Sequence, residues 1–227
     1  MPDPLPIKNE IIILCEGLAD QNFIRKLIMH RGGFPPIDFL PADRFHGRDA
    51  FGEMIQAIIG TGVAFERLKG ILIVADSHNN PASTLTLIQR QIRRYAPEFP
   101  VPEQLLTPSI LKEGYPRSAI MLLPDETNPG PLESLFAREL EAKTPWVTEC
   151  VDAFLQCARI QAHAWPPEKH AKARYHSIVA AVHKADPSRS VSAAFTNRPA
   201  VMDIGSTTFD SVETRIRDFC AAIGVTA

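Results

Sequence analysis

The stretch Ile11-Ile12-Ile13-Leu14-Cys15-Glu16-Gly17 decides the fold class that we expect for this chain. A run of apolar β-formers that is too short for a helix is typical of a strand buried on both faces, as in parallel sheets. Helical features follow at once, because Asp20 can cap a helix and apolar residues then recur at helical spacing (Phe23, Ile24, Leu27 and Ile28). Glu16 is therefore predicted to lie at the C-terminal end of a central strand, where ligands bind in open α/β sheets.

The same alternation of strand and helix continues to about residue 140. Three further apolar runs, at residues 37–40, 71–76 and 118–123, are predicted to be strands, and helical patterns separate them. The order β-α-β-α-β-α-β-α predicts an α/β fold with a mostly parallel four-stranded sheet and helices on both faces. We expect this α/β domain to cover residues 8–142 and a helical extension, residues 143–227, to pack on it.

Composition and charge are those of an ordinary soluble globular protein. The 227 residues carry a formal net charge of −2, so binding to a polyanion would need a local basic patch or a metal. No apolar run approaches the roughly 20 residues of a membrane span, and the N-terminus lacks a signal-peptide pattern. The four separated cysteines are predicted to be reduced thiols in a cytoplasmic protein with no membrane partner. Trp146 and Trp165, each beside a proline, are predicted to be packing anchors of the helical extension.

Three of the predicted strands end on an acid, namely Glu16, Asp76 and Asp125. Asp20 lies one helical turn beyond Glu16, and Glu133 lies near the start of the helix that follows Asp125. Because the carboxyl ends of parallel strands meet at one edge of a sheet, we expect the three strand-end carboxylates to cluster there. Such carboxylates repel one another, and a bound Mg²⁺, which prefers oxygen ligands, would compensate and support phosphoryl transfer. The alternative is that these acids only cap helices and end strands.

Two basic stretches are candidates for contact with a nucleic-acid backbone. The first is the helix end that carries Arg90, Arg93 and Arg94, and the second includes Lys172 on a later predicted helix. The alternative for both is a solvated helix face. The chain contains no GxxxxGK[ST] phosphate loop, no HExxH zinc pattern and no GxSxG nucleophile elbow, so these site classes are not expected.

The acids lie within motifs that resemble those of Toprim domains, which occur in primases, topoisomerases, recombination-repair proteins and OLD-family nucleases. Cys15-Glu16-Gly17 with Asp20 and Phe23 resembles the EGxxDxxF opening of these domains, and Val74-Ala75-Asp76-Ser77-His78 stands at their DxD motif. Leu123-Pro124-Asp125 and Gly130-Pro131-Leu132-Glu133 are similar to an "LP…G.LE" signature of small stand-alone bacterial Toprim-like proteins related to OLD nucleases. The resemblance covers about residues 8–140.

The resemblance implies a Toprim-like α/β fold and a metal-dependent nuclease or phosphotransferase acting on nucleic-acid phosphodiesters in defence or repair. By position, it implies that Glu16 is the general acid or base and that Asp20 assists it or caps the helix. Asp76 would be a ligand of Mg²⁺ or Mn²⁺, and Asp125 or Glu133 a further one. The substrate implied is nucleic acid, DNA in preference to RNA. A partner ATPase and a homo-oligomer both stay open.

His78 departs from the pattern, because Toprim domains carry the second aspartate of DxD there. Residues 76 and 78 are two apart, so in extended backbone their side chains can reach one ion. Imidazole is a poor Mg²⁺ ligand and a better one for Mn²⁺ or Zn²⁺. Four interpretations stay open: an altered metal preference with His78 as a ligand, a weakened Mg²⁺ site, a degenerate module that binds nucleic acid or an ATPase without cleavage, or a solvent-exposed His78 without a role.

Overall fold

A four-stranded parallel sheet lies at the centre of the protein. The computed structural model describes residues 5, 7–40, 45, 47, 49–195 and 200–227. The strands are β1 (Ile11–Cys15), β2 (Ile37–Phe39), β3 (Gly70–Asp76) and β4 (Arg117–Leu123), in the spatial order β2-β1-β3-β4. Every pair of neighbouring strands is parallel. The predicted α/β fold class and the parallel four-stranded sheet are therefore confirmed.

Eight α-helices follow the strands or extend the chain beyond them within the described residues. They are α1 (Leu18–Arg31), α2 (Phe51–Ile59), α3 (Val63–Glu66), α4 (Pro81–Tyr95), α5 (Leu132–Lys143), α6 (Trp146–Cys157), α7 (Pro167–Val182) and α8 (Asp210–Ala222). Short 3₁₀ turns lie at Ile160–Ala162, Val191–Ala193 and Thr207–Phe209. None of the helices in these described ranges is long and apolar enough to cross a membrane.

The side chains of the strands alternate between two hydrophobic clusters, one on each face of the sheet. In β1, Ile12 and Leu14 join a cluster that includes residues of α2 and α4. Ile11, Ile13 and Cys15 join the other cluster, which includes residues of α1 and of α5 to α8. This alternation is the period of two of an extended strand, and it places helices on both faces of the sheet, as predicted.

The C-terminal helices share the core of the α/β part. At the start of β3, Gly70 leaves room for α8, since a Cβ atom there would lie 2.3 Å from Cδ1 of Ile223. The buried guanidinium of Arg215 on α8 donates hydrogen bonds to the carbonyl oxygens of Leu122 at 2.8 Å and Pro124 at 3.1 Å. The last helix thus stabilises the end of β4, which adjoins the edge where the predicted acids lie.

Candidate functional site

Glu16 and Asp76 lie side by side at the C-terminal edge of the sheet. The register of β1 and β3 pairs Cys15 with Val74, and the ladder continues with a hydrogen bond from the amide of Glu16 to the carbonyl oxygen of Val74 at 3.1 Å. The amide of Asp76 then donates to Oε2 of Glu16 at 3.2 Å. Parallel pairing of two neighbouring strands therefore brings together two residues that are 60 positions apart in the chain.

The N-terminus of α5 meets the same edge and brings Glu133 with it. The amide of Leu132, the first residue of α5, donates to Oδ1 of Asp76 at 2.9 Å. The first amides of a helix have no partner within it, and the helix dipole favours negative charge there. Asp76 is thus held at a helix N-terminus, and the mostly buried side chain of Glu133 begins one residue further on.

Asp20 completes a set of four acids, which we call the acid cluster: Glu16, Asp20, Asp76 and Glu133. Asp20 is buried and accepts a hydrogen bond from the amide of Gly17 at 3.0 Å, as a helix cap does. Burial, followed by the charges of Glu16 and Glu133, raises its pKa to about 7. Burial also raises the pKa of Asp76 well above its ordinary value, and the charges of the other three acids add to this effect. The four carboxyl groups therefore lie within one another's electrostatic field.

His78 is bound between two carboxylates. Its Nε2 lies 3.2 Å from Oε2 of Glu16, and its Nδ1 lies 2.9 Å from Oε2 of Glu168. The hydrogen bond with Glu16 is the largest cause of a pKa above the ordinary value for histidine, and Glu168 also raises it. The side chain is only 14% exposed, so His78 is not the solvent-exposed loop residue of one interpretation. The two carboxylates thus favour the protonated form of His78, which would bring positive charge beside the acid cluster.

Glu168 was not predicted from the sequence. It lies in the first turn of α7, where an acid is ordinarily explained by the helix dipole, and it is 90 residues away from His78 in the chain. Only the packing of α7 against α5 brings it to the strand edge. No sequence motif could have identified it.

Asp125 is used differently from the other strand-end acids. Its Oδ1 accepts hydrogen bonds from the amides of Thr127 at 3.0 Å and Asn128 at 2.7 Å, and from both side chains. Burial raises its pKa, but these hydrogen bonds outweigh that effect and lower the pKa to about 2. Nη1 of Arg138 lies 3.6 Å from Oδ2 of Asp125. The carboxylate of Asp125 thus stabilises its own turn. Of the two residues that the sequence suggested as a further metal ligand, Asp125 and Glu133, it is Glu133 that belongs to the acid cluster.

The predicted basic residues fall into two places. Nζ of Lys172, on α7, lies 3.9 Å from Oε1 of Glu133, so Lys172 borders the acid cluster. Arg90, Arg93 and Arg94 lie on the second half of α4, and Arg93 and Arg94 are exposed there. This helix starts just after the strand-end loop and leads away from it, which puts the three arginines roughly 14–20 Å along its axis at about 1.5 Å per residue.

A buried hydroxyl group lies on the α7 side of the acid cluster. Tyr175 is fully buried, and its Oη has no hydrogen-bond partner among the described residues. Burial, then the charge of Glu133, raises its pKa. Buried hydroxyl groups without a partner are uncommon in proteins. A polar atom without a partner in the described part of the chain therefore lies close enough to the acid cluster to sense the charge of Glu133.

The donors of the acid cluster fit a hard divalent cation in chemistry. Carboxylate oxygens suit Mg²⁺ and Mn²⁺, and a cation would relieve the repulsion that raises the pKa of Asp20 and Asp76. In the arrangement of the described residues, no group of three or more His, Cys, Asp or Glu side chains is placed to hold a metal ion. Carboxylate oxygens are present, but they do not converge on one point, and Oε2 of Glu16 already contacts Nε2 of His78.

The chain belongs to the family described as "Protein of unknown function (DUF3226)", whose model matches residues 10–220. No curated protein and no solved structure matches the chain. The matched residues run from just before β1 into α8. They therefore include the acid cluster together with His78 and Glu168.

Proposed function

We propose that this DUF3226-family chain is a divalent-cation-dependent phosphodiesterase of the Toprim type that acts on nucleic acid, DNA in preference to RNA. The observation that carries the proposal is the meeting of Glu16 and Asp76 at the C-terminal edge of two central parallel strands, beside the N-terminus of α5. Ligands of open α/β sheets bind at this edge. The motif resemblance supports the same assignment.

In this proposal each acid has a separate task. Asp76 and Glu133 would hold Mg²⁺ or Mn²⁺. When bound, the cation would neutralise phosphate charge, polarise the scissile bond and orient water. Glu16 is the general acid or base, because its contacts with Asp76 and His78 both use Oε2 and leave Oε1 without a partner in the described part of the chain. Asp20 fixes the turn at Gly17 that carries Glu16.

His78 and Glu168 act as positioning residues for Glu16. The chain Glu168–His78–Glu16, with contacts of 2.9 and 3.2 Å, fixes the orientation of the Glu16 carboxylate. A histidine that is bound to two carboxylates is not free to be a metal ligand as well. The proposal therefore assigns His78 to the support of Glu16 and not to the metal.

The proposal is tested by Glu16→Gln in a cleavage assay on plasmid and single-stranded DNA, with Mg²⁺, Mn²⁺ or a chelator. The amide keeps the shape of the side chain, so the fold should persist while activity falls about 10²–10⁴-fold, the usual contribution of general acid–base catalysis. Chelation should abolish cleavage. Glu103→Gln, at an exposed position outside the site, is the matched control. Full activity of Glu16→Gln would reject the assignment of Glu16.

A second candidate is a degenerate Toprim module that binds nucleic acid or a partner ATPase without cleavage. The observation that favours it is the pairing of His78 with Glu16, because an imidazolium there partly replaces the charge of a cation. The two candidates separate in one comparison. If the wild type binds DNA, takes up no Mg²⁺ or Mn²⁺ and cuts nothing, the degenerate module is the better explanation.

The proposal includes a cytoplasmic location. All four cysteines are free thiols, two buried and two exposed. Free exposed thiols are typical of reducing compartments.

A further inference from the structure

Three aromatic rings pack together at the start of α7, and we call them the ring stack: His163 and Trp165 precede the helix, and His170 lies in its first turn. The rings of His163 and Trp165 lie nearly parallel, with centroids 4.7 Å apart and an interplanar angle of 19°. His170 lies 5.7 Å from Trp165 at a tilt of 48°. Trp165 was predicted to be a packing anchor, but it is 38% exposed, and Trp146 is 58% exposed. The structure therefore contradicts that prediction for Trp146, whereas Trp165 is partly exposed and packs on the two histidine rings.

The ring stack adjoins the first turns of α7, the helix that also carries two residues in contact with the acid cluster and His78. Glu168 is three residues after Trp165, and its carboxylate contacts His78, which in turn contacts Glu16. One turn further along α7, Lys172 lies at Glu133. The segment that carries the rings is thus the same one that borders the acids.

Positive charge and an open cavity accompany the rings. Lys169 lies on the first turn of α7, and Lys172 is about half exposed at the margin of the acid cluster. A cavity of about 360 Å³ opens next to the stack and is lined by Leu155, Ile160, His170, Ala171 and Arg174. Flat rings, cations and a concave surface next to them are the parts from which single-stranded nucleic-acid sites are built.

We propose that the ring stack binds an unpaired base of a single-stranded nucleic acid. This inference rests on the proposed function and names its substrate class, since a strand whose base lies at Trp165 would bring its phosphodiester toward the acid cluster. Lys169 and Lys172, both exposed on α7, supply charge complementary to the phosphates of such a strand. A base within a duplex is stacked on its neighbours, so it could not use the rings without first leaving the helix.

The decisive measurement uses the intrinsic fluorescence of Trp165. The chain has two tryptophans, so Trp146→Phe leaves Trp165 as its one tryptophan. Titration with a single-stranded oligonucleotide, in the presence of a chelator to prevent cleavage, should quench this fluorescence. An oligonucleotide of the same length with abasic positions retains the phosphates but offers no base to stack, so it should quench little. A duplex of the same sequence should also quench little.

Affinity gives a second readout. Trp165→Ala should weaken binding of the single strand about 5- to 150-fold, which corresponds to the ~1–3 kcal/mol of a base–aromatic stack. Trp165→Phe should restore part of the loss, because phenylalanine keeps a stacking face. Trp146→Ala removes an exposed tryptophan away from the rings and is the matched control, with affinity unchanged. Lys169→Ala should reduce the salt dependence of binding, and it should do so equally for the intact and the abasic strand.

Several outcomes would overturn the inference. The abasic strand could quench the fluorescence as much as the intact strand does, or Trp165→Ala could bind the single strand as tightly as wild type does. The third such outcome is that no oligonucleotide binds, in which case a protein segment would be the better occupant of the ring stack. If wild type cleaves DNA but shows no base-dependent quenching, the ring stack has no such role and the proposed function stands. If quenching depends on bases but no metal supports cleavage, the ring stack is upheld and the phosphodiesterase assignment fails.

Discussion

His78 adopts a backbone conformation that few residues accept. Its φ of 50° lies in the left-handed region, and its carbonyl oxygen accepts a hydrogen bond from the amide of Gly130 at 2.7 Å. Asparagine, aspartate and histidine are the non-glycine residues most often found there. Replacement of His78 by aspartate or asparagine is therefore compatible with this backbone, and a change of chemistry at residue 78 can be tested without a change of fold.

We predict that wild type binds Mg²⁺ weakly and that His78→Asp binds Mg²⁺ more tightly. The substitution removes an imidazolium from Glu16 and adds a carboxylate oxygen two residues after Asp76. Titration calorimetry of both proteins should show a gain in Mg²⁺ affinity of about tenfold or more, equivalent to ~1.4 kcal/mol, and Mg²⁺-dependent nicking should rise with it.

His78→Asn is the control for this prediction. It removes the imidazolium in the same backbone conformation but adds no charge. Equal Mg²⁺ affinities of the aspartate and asparagine variants would show that residue 78 lies outside the metal site and that the comparison with the DxD motif does not apply.

Strand ends were predictable, and the contacts between distant helices were not. Buried apolar runs such as residues 71–76 end where the sheet meets solvent, so Glu16 and Asp76 could be placed at one edge from the sequence alone. Helix boundaries were less well predicted. The helical extension was expected over residues 143–227, and in the structure α6 ends at Cys157 and Arg159 takes a left-handed conformation with φ 54°. That ending carries no glycine or proline to mark it.

At the scale of elements, α2 and α4 pack closely because α2 carries a glycine at their contact. A Cβ atom on Gly52 would lie 2.6 Å from the carbonyl oxygen of Gln91 and 2.6 Å from the ring of Tyr95. The carbonyl oxygen of Gln91 belongs to the backbone, so it cannot rotate away as a side chain could. Gly60, at the end of the same helix, has a helical φ of −65°, and a Cβ atom there would come no closer than 3.4 Å to the carbonyl oxygen of Ala57.

We therefore predict opposite effects for two glycine-to-alanine substitutions in the same helix. Gly52→Ala should lower the free energy of unfolding by about 1–3 kcal/mol, as overpacking does, although alanine is the better helix former. Gly60→Ala should be neutral or stabilise by about 0.4–1 kcal/mol, because it restricts the unfolded chain. Urea denaturation measures both. A Gly52→Ala protein as stable as Gly60→Ala would mean that α2 and α4 do not approach so closely.

At the scale of the whole molecule, the expected division at residue 142 crosses a single hydrophobic cluster. The cluster on the α1 side of the sheet contains residues of β1, β3 and β4 together with Val147, Tyr175 and Phe219 from beyond that point. The alternation of strand and helix stops at about residue 140, and this indicated the helical extension. The sequence alone did not show whether the extension contributes a face of the hydrophobic core. Which helix covers which face depends on three-dimensional packing over separations of about a hundred residues.

We predict that residues 1–142 alone do not form a stable domain. Without α6 to α8, the apolar face of the sheet would be exposed to water, and the carbonyl groups of Leu122 and Pro124 would lose Arg215. Circular dichroism should show no cooperative thermal unfolding, and the fragment should bind the dye ANS as compact, loosely packed states do. The full chain is the reference. A cooperative melt of the fragment with no dye binding would instead show that the α/β part folds independently.

The hydrogen bonds from Arg215 to the end of β4 have a consequence for the timing of synthesis. A ribosome makes the chain from its N-terminus, so the strands and their acids emerge many residues before Arg215 does. Until α8 has left the exit tunnel, the end of β4 lacks the guanidinium that holds it. The strand edge therefore reaches its final form only once α8 is available, and a nascent chain that still lacks α8 does not yet carry the finished site.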